Sequence, residues 1–344
     1  MNGAGANGSR TGEVVAQWTS FPRNRRIATA ALSAVLLFMC ESPARAQNPQ
    51  PPPRPTEGSI KVDVDLVMLH VTVTDRSGRP FTGLKPENFR LYDNGTEQAI
   101  HHFTTQDLPF TMGLVLDRSG SMSMVIDEVY QAAFHTIRAS KPEDEFFILT
   151  FNDKIQLRQD FSTDRNLLQK RLKGIRAERR TALYDAVLAG LNYIHGGRHD
   201  KKALLIVTDG DDNSSESSFR YLLERVRQEN VAIYVVGFFG ATSDLSPRLE
   251  RSELEALLVR LAEATGGKAY FPRTMEECDQ ACIAIARELR QQYGLGYYPV
   301  PKGRDGNWHA VGVQLQVPPE ISSNGLTART RAGYFAPRES EVKP

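Results

Sequence analysis

The chain has 344 residues, 24% of them charged and 40% hydrophobic, with a formal net charge of +1. That is room for one medium α/β domain plus a smaller one, and so even a balance offers no concentrated basic surface for nucleic acid. The basic runs at 23–26 and 176–180 are short, and the second reads as a solvated loop or helix end.

Chain order begins with an export signal. Arg23, Arg25 and Arg26 precede an apolar stretch over 27–40, and Ala44-Arg45-Ala46 supplies the small-x-small pattern of a cleavage site. The stretch falls short of the roughly 20 residues a spanning helix needs. Residues 1–46 are therefore expected to be a signal peptide, with an uncleaved anchor as the alternative. Either way the location is exported: periplasmic, cell-surface or extracellular. Residues 47–58 (QNPQPPPRPTEG) form a Pro-rich linker.

A β-rich segment, 59–106, follows. Residues 60–74 alternate as a strand, 89–92 and 98–104 are two more, and Asp93-Asn94-Gly95 is a hairpin-type turn. From Phe110 the pattern becomes strand–helix. Strands are expected at 111–116, 145–152, 155–161, 203–208, 231–238 and 268–271. Helices are expected at 125–137, 167–175, 182–194, 219–229, 254–261 and 274–291. Gly266-Gly267 suits a helix C-terminus. Apolar strands separated by amphipathic helices predict an α/β fold with a doubly wound, mainly parallel sheet over 107–290. Residues 291–338 return to β, with strands at 293–300, 309–317 and 326–331. This piece and 59–106 are each too short to be stable alone, so they are expected to pair into a smaller β-sandwich around the α/β insertion, with two separate β appendages as the alternative.

The chemistry concentrates in three segments. Asp117-Arg118-Ser119-Gly120-Ser121 directly follows the first apolar strand, at the strand end where open α/β sheets place their sites. Thr181 opens a helix, and Asp209, in Thr208-Asp209-Gly210, ends a central strand. Two carboxylates and three hydroxyls are hard oxygen donors that suit Mg²⁺, Mn²⁺ or Ca²⁺. The competing reading makes Asp117 or Ser119 a cap for the next helix.

These segments resemble the von Willebrand factor A-type domain, which includes the integrin inserted domains. That family carries a metal-ion-dependent adhesion site of pattern Asp-x-Ser-x-Ser, then a distant Thr, then a distant Asp. Asp117, Ser119 and Ser121 match the first part, Thr181 the second and Asp209 the third, and the likeness spans about residues 107–290. The Gly pair usual before the Thr is replaced by Arg179-Arg180. The flanking β segments, with Tyr92 to Gly95 and Gly333-Tyr334, resemble those of secreted bacterial proteins of this type. The resemblance implies a bound Mg²⁺ (or Mn²⁺ or Ca²⁺), with Asp209 acting through water. It implies a protein partner that offers a Glu or Asp carboxylate to an under-neutralised cation, and no catalysis. No nucleic acid or small-molecule substrate is expected, and membrane contact only through a retained anchor.

Two other functions compete: an exported structural protein with a vacant site, and a metal-dependent phosphohydrolase. The latter usually needs a second carboxylate two residues after the first, where Ser119 stands. Neither a Gly-x-Ser-x-Gly elbow nor a Gly-x-x-x-x-Gly-Lys phosphate loop is present. Elsewhere the readings are structural. Asp211-Asp212-Asn213 is a solvated acidic loop rather than a second cation site. His195 and His199 are loop residues, Cys278 and Cys282 unpaired thiols, and Trp308 and Tyr297-Tyr298 belong to the β core.

Overall fold

The computed structural model describes residues 66–105, 107–239, 248–301, 303–319 and 325–338. The signal segment, the Pro-rich linker and the start of the N-terminal strand lie outside these residues.

The central sheet has strand order β10-β9-β8-β5-β6-β7. Its members are β5 (Phe110–Asp117), β6 (Glu145–Phe151), β7 (Ile155–Ser162), β8 (Lys201–Thr208), β9 (Val231–Gly237) and β10 (Ala269–Tyr270). All pairs are parallel except β6–β7, which a tight turn at Asn152 joins, its N–H donating to the Lys154 carbonyl. Every residue of β5 and β6 is buried, as a strand covered on both faces must be. Met112, Leu114 and Leu116 of β5 pack on one face with α1 (Ile126–Ala139), α2 (Arg165–Leu172) and α6 (Met275–Arg290). Val115 packs on the other with α3 (Leu183–Ile194), α4 (Phe219–Gln228) and α5 (Arg248–Glu263). The sheet is therefore doubly wound. Cys278 and Cys282 are buried and free on α6. None of the helices among the described residues is long and apolar enough to cross a membrane.

The flanking strands build two antiparallel sheets. One has order β13-β1-β11-β4, from β1 (Val67–Thr74), β4 (His102–Thr104), β11 (Tyr293–Tyr297) and β13 (Thr327–Arg329). The other has order β14-β12-β2-β3, from β2 (Phe89–Asp93), β3 (Thr96–Gln98), β12 (Trp308–Leu315) and β14 (Gly333–Phe335). Val67, Leu69, Val71 and Val73 bury one face of β1 against Phe89, Leu91, Leu295, Tyr297 and Tyr334, so the two sheets share one core as a sandwich.

Several elements differ from expectation. The strand expected over 98–104 is two strands, because the chain leaves the β2 sheet after Gln98 and joins β11 from His102. The strand expected over 326–331 stops at Arg329, and β14 adds a further pairing with β12. Helix α2 starts earlier than expected, where Asp164 caps it by accepting from the Asn166 and Leu167 N–H groups, and it ends at Leu172 rather than 175. Helix α5 begins six residues before Leu254. Tyr297 is a core residue, but Tyr298 is exposed and lies against His101. Trp308 is half-buried, with Arg227 over its ring.

The end of α5 has a direct consequence. Gly266 sits at φ +79°; its N–H donates to the Glu263 carbonyl and that of Gly267 to Ala262, the Schellman arrangement. A Cβ on Gly267 would lie 1.9 Å from the Ile233 carbonyl oxygen of β9. Gly267→Ala is therefore expected to destabilise by about 3 kcal/mol in urea unfolding. Gly312→Ala, where the nearest atom is 4.0 Å away, is expected to be near neutral.

Candidate functional site

The carboxyl ends of β5 and β8 meet at one edge of the sheet. Asp117 is the last residue of β5 and is fully buried. Its Oδ1 accepts the Ser119 N–H at 2.8 Å, which turns the chain back on itself. The Met122 N–H then donates to the Ser119 carbonyl, and residues 120–124 form a 3₁₀ turn. This turn brings the Ser119 and Ser121 hydroxyls to 3.1 Å from each other. The Ser121 hydroxyl also faces the Asp209 carboxylate and favours its charged form. Four of the five expected side chains thus form one connected cluster. Neither Asp117 nor Ser119 caps a helix: the 3₁₀ turn has no side-chain cap, and α1 begins after Val125.

Thr181 reaches the edge through its backbone. Its N–H donates to Asn213 Oδ1 and its carbonyl accepts the Asn213 N–H, both at 3.0 Å. The next residue, Ala182, donates to the Asn152 carbonyl. Thr181 is buried, but among the described residues its hydroxyl makes no hydrogen bond to the other four side chains. The loop before it touches the first segment directly: Gly120 N–H donates to the Arg179 carbonyl and Glu178 N–H to the Arg118 carbonyl. A Cβ on Gly120 would press to 3.3 Å from the Arg179 oxygen, so a glycine lets these loops approach.

Arg179 and Arg180 leave the cluster open. Arg179 takes φ +74°, a left-handed conformation that glycine adopts without cost, and its side chain pairs with Asp153. Arg180 turns onto the carbonyl and side chain of Asn213. Among the described residues no lysine or arginine pairs with Asp117 or Asp209.

A buried carboxylate, Asp117, and a half-buried one, Asp209, therefore lie close together without a countercharge. Burial, then the like charge of Asp209, pushes the Asp117 carboxyl up to about 7, against the opposing hydrogen bonds from Thr208 and Ser119. Burial also raises Asp209, with Asp211 adding repulsion. A cation is the group such a pair lacks. No three His, Cys, Asp or Glu side chains cluster among the described residues, so metal capacity at this edge rests on two carboxylates and hydroxyls. That donor set fits a hard divalent ion with water completing the shell.

Sequence reasoning missed Thr208 and Asn213. The Thr208 hydroxyl donates to Asp117 Oδ2 at 2.7 Å and accepts the Gly210 N–H. Its position beside Asp209 was the only signal for it. The acidic loop is committed to structure. Asp212 accepts from the Tyr184 N–H at the start of α3 and from Ser215, Asp211 accepts from Asn213, and Asp185 accepts from Glu216 and Ser217 N–H groups. His195 pairs with Glu229 and His199 with the Glu143 carbonyl.

The fold and the three converging loops define an open α/β domain with its site at the carboxyl edge of a doubly wound sheet. The von Willebrand factor type A domain family matches residues 112–211, within the stretch that forms the doubly wound sheet and its site. No curated protein matches the chain. Among solved structures it is similar to BatB from Bacteroides thetaiotaomicron, at 14% identity and TM-score 0.43 over 52% of this chain and 98% of that one. It is similar to a von Willebrand factor type A protein from Catenulispora acidiphila, at 10% identity and TM-score 0.45 over 81% and 75%. It is also similar to the vWF domain of the type V pili tip protein Mfa5 from Porphyromonas gingivalis, at 9% identity and TM-score 0.42 over 54% and 95%.

Proposed function

We propose that this chain is an exported, non-enzymatic protein-binding module. In this reading Asp117, Ser119, Ser121, Thr181 and Asp209 hold one Mg²⁺-like ion within a domain spanning about residues 107–290. Bound there, the ion would supply an electrophilic position for a Glu or Asp carboxylate of a partner protein. The observation that carries the reading is the pair of buried Asp117 and half-buried Asp209, joined through Ser119 and Ser121 and lacking any basic partner among the described residues. Two negative charges would leave a divalent ion with no surplus of anionic ligands, so an outside carboxylate remains attractive to it. The protein's own part is positional. Asp117 and the Ser119 N–H set the loop, Asn213 holds Thr181 beside the end of β8, and Arg180 is held away on Asn213.

The reading is tested by capture from the native cell envelope. The protein is expected to retain a partner in Mg²⁺, release it in EDTA and take it back when Mg²⁺ returns, while Ser121→Ala retains at least tenfold less. Capture that is indifferent to EDTA would overturn it. Turnover of phosphoesters that needs Mg²⁺ and Asp117 would favour the enzymatic alternative instead.

A further inference from the structure

The opposite edge of the central sheet holds a second polar feature. A cavity of about 20 Å³ lies where β8 and β9 begin, against the end of α6 and the approach to β14. His70, Lys201, Glu229, Thr265, Gln292 and Arg331 line it. That volume admits one water molecule or an ion of similar size. We propose that this cavity is a site for a monovalent inorganic anion of chloride size, held between Lys201 and Arg331.

The charge balance leads there. Lys201 is only 7% exposed, and its ammonium donates to the Leu289 carbonyl, which leaves further hydrogens to place. Arg331 lies over the Tyr334 ring and reaches the Met68 carbonyl only at 3.4 Å. Its Nε is fully buried and has no hydrogen-bond partner. Both cations act on His70, whose imidazole burial, then Lys201 and Arg331, lowers to about 4. His70 is thus neutral near pH 7 and adds no charge. Burial lowers Lys201 to about 8, so it is still cationic at neutral pH.

The carboxylates around these two cations are already matched. Glu229 pairs with His195 and Arg225, and Glu288 with Arg329. Asp107 and Asp144 both pair with Arg290, and Asp107 also with Lys141. Lys202 turns away to the Gly197 and His199 carbonyls. Asp107 and Asp144 act on Lys201 from a distance, but neither Lys201 nor Arg331 forms an ion pair among the described residues. Unpaired buried charge is costly, and one small anion between them removes that cost. The cavity is too small for sulfate or phosphate and too polar for an apolar guest.

The test compares sodium chloride and bromide with sodium gluconate at equal ionic strength. The intact protein is expected to show a saturable halide-specific rise in Tm of about 3 °C at ten times the dissociation constant. Lys201→Met is expected to lose it. Crystals in bromide should give an anomalous peak between Lys201 and Arg331. If Lys201→Met does not fold, ³⁵Cl line broadening by the wild-type protein, reversed by bromide, supports the site. Equal stability in halide and gluconate, a response retained in Lys201→Met, absence of competed ³⁵Cl broadening, or a water in place of bromide would each overturn it.

Discussion

Asp117→Asn is expected to abolish the stabilisation that Mg²⁺ confers on the wild-type protein. A ligand at one hundred times its dissociation constant adds about 2.7 kcal/mol, which in a chain of this size raises Tm by roughly 5–8 °C. The substitution removes the more deeply buried of the two carboxylates while leaving the fold its contacts. The asparagine amide oxygen can still accept the Ser119 N–H, and the Thr208 hydroxyl, which in the wild type donates to Asp117 Oδ2, can reverse to accept from the amide nitrogen. Calorimetry with Mg²⁺ and Mn²⁺ on both proteins reads the difference directly. An unchanged metal-induced shift in the variant would remove Asp117 from the site.

The same pair of proteins differs in pH dependence. The folded Asp117 carboxyl stands at about 7, above the value near 4 of an unfolded chain. Between those values the folded state keeps a proton that the unfolded chain has released. Stability from this group is therefore whole below about pH 4 and is lost as pH rises through about 7. Metal-free wild type is expected to show that decline in thermal scans, and Asp117→Asn to show a smaller one that comes from Asp209, whose carboxyl burial also raises. Because a metal takes the deprotonated carboxylate, the Mg²⁺-induced rise in wild type should be larger at pH 8 than at pH 5. A rise that shrinks with pH would contradict this linkage.

What the sequence makes legible follows from how local each cause is. An uninterrupted apolar run before Asp117 marks β5 as a strand covered on both faces, and the regular spacing of Val129, Ala132, Ala133 and Ile137 marks α1. Both signals reside within the element. Gly266-Gly267 announces the end of α5 because the left-handed turn is a property of those residues. The split between β3 and β4 is not local. Residues 98–104 look like one strand, and only the competition between β2 and β11 for partners divides them. The site shows the same division. Asp117, Ser119 and Ser121 are bound by their spacing, whereas Asn213 acts on Thr181 across 32 positions and Thr208 on Asp117 across 91. No pattern in the sequence announces those two partnerships: Thr208 meets Asp117 only once β5 and β8 lie side by side, and Asn213 meets Thr181 only once the loop after β8 reaches the start of α3.

The second large effect is expected at the far end of β5, from Arg290→Met. Arg290 ends α6 and is only 8% exposed. Its guanidinium pairs with Asp144 and, at 2.7 Å, with Asp107. Asp144 is 1% exposed and also accepts the N–H of Phe110, where β5 begins, and that of Lys141. One arginine thus ties the last helix to the strand that carries Asp117, a short step along the chain from β11 of the sandwich. Methionine would fill much of the same space but leave Asp144 buried with backbone donors alone. Breaking such a pair costs about 3–5 kcal/mol, a fall in Tm of roughly 10 °C. Asp144→Asn removes the stranded charge and keeps an acceptor for one of the two N–H groups, which donate to different carboxylate oxygens. The double variant Arg290→Met/Asp144→Asn is therefore expected to recover at least about 1 kcal/mol relative to simple addition of the two single effects. Urea unfolding of the four proteins measures that coupling. Additive losses, or a single-variant cost below about 1 kcal/mol, would mean that packing of α6 against α1, rather than the Arg290 ion pair, fixes the last helix to the sheet.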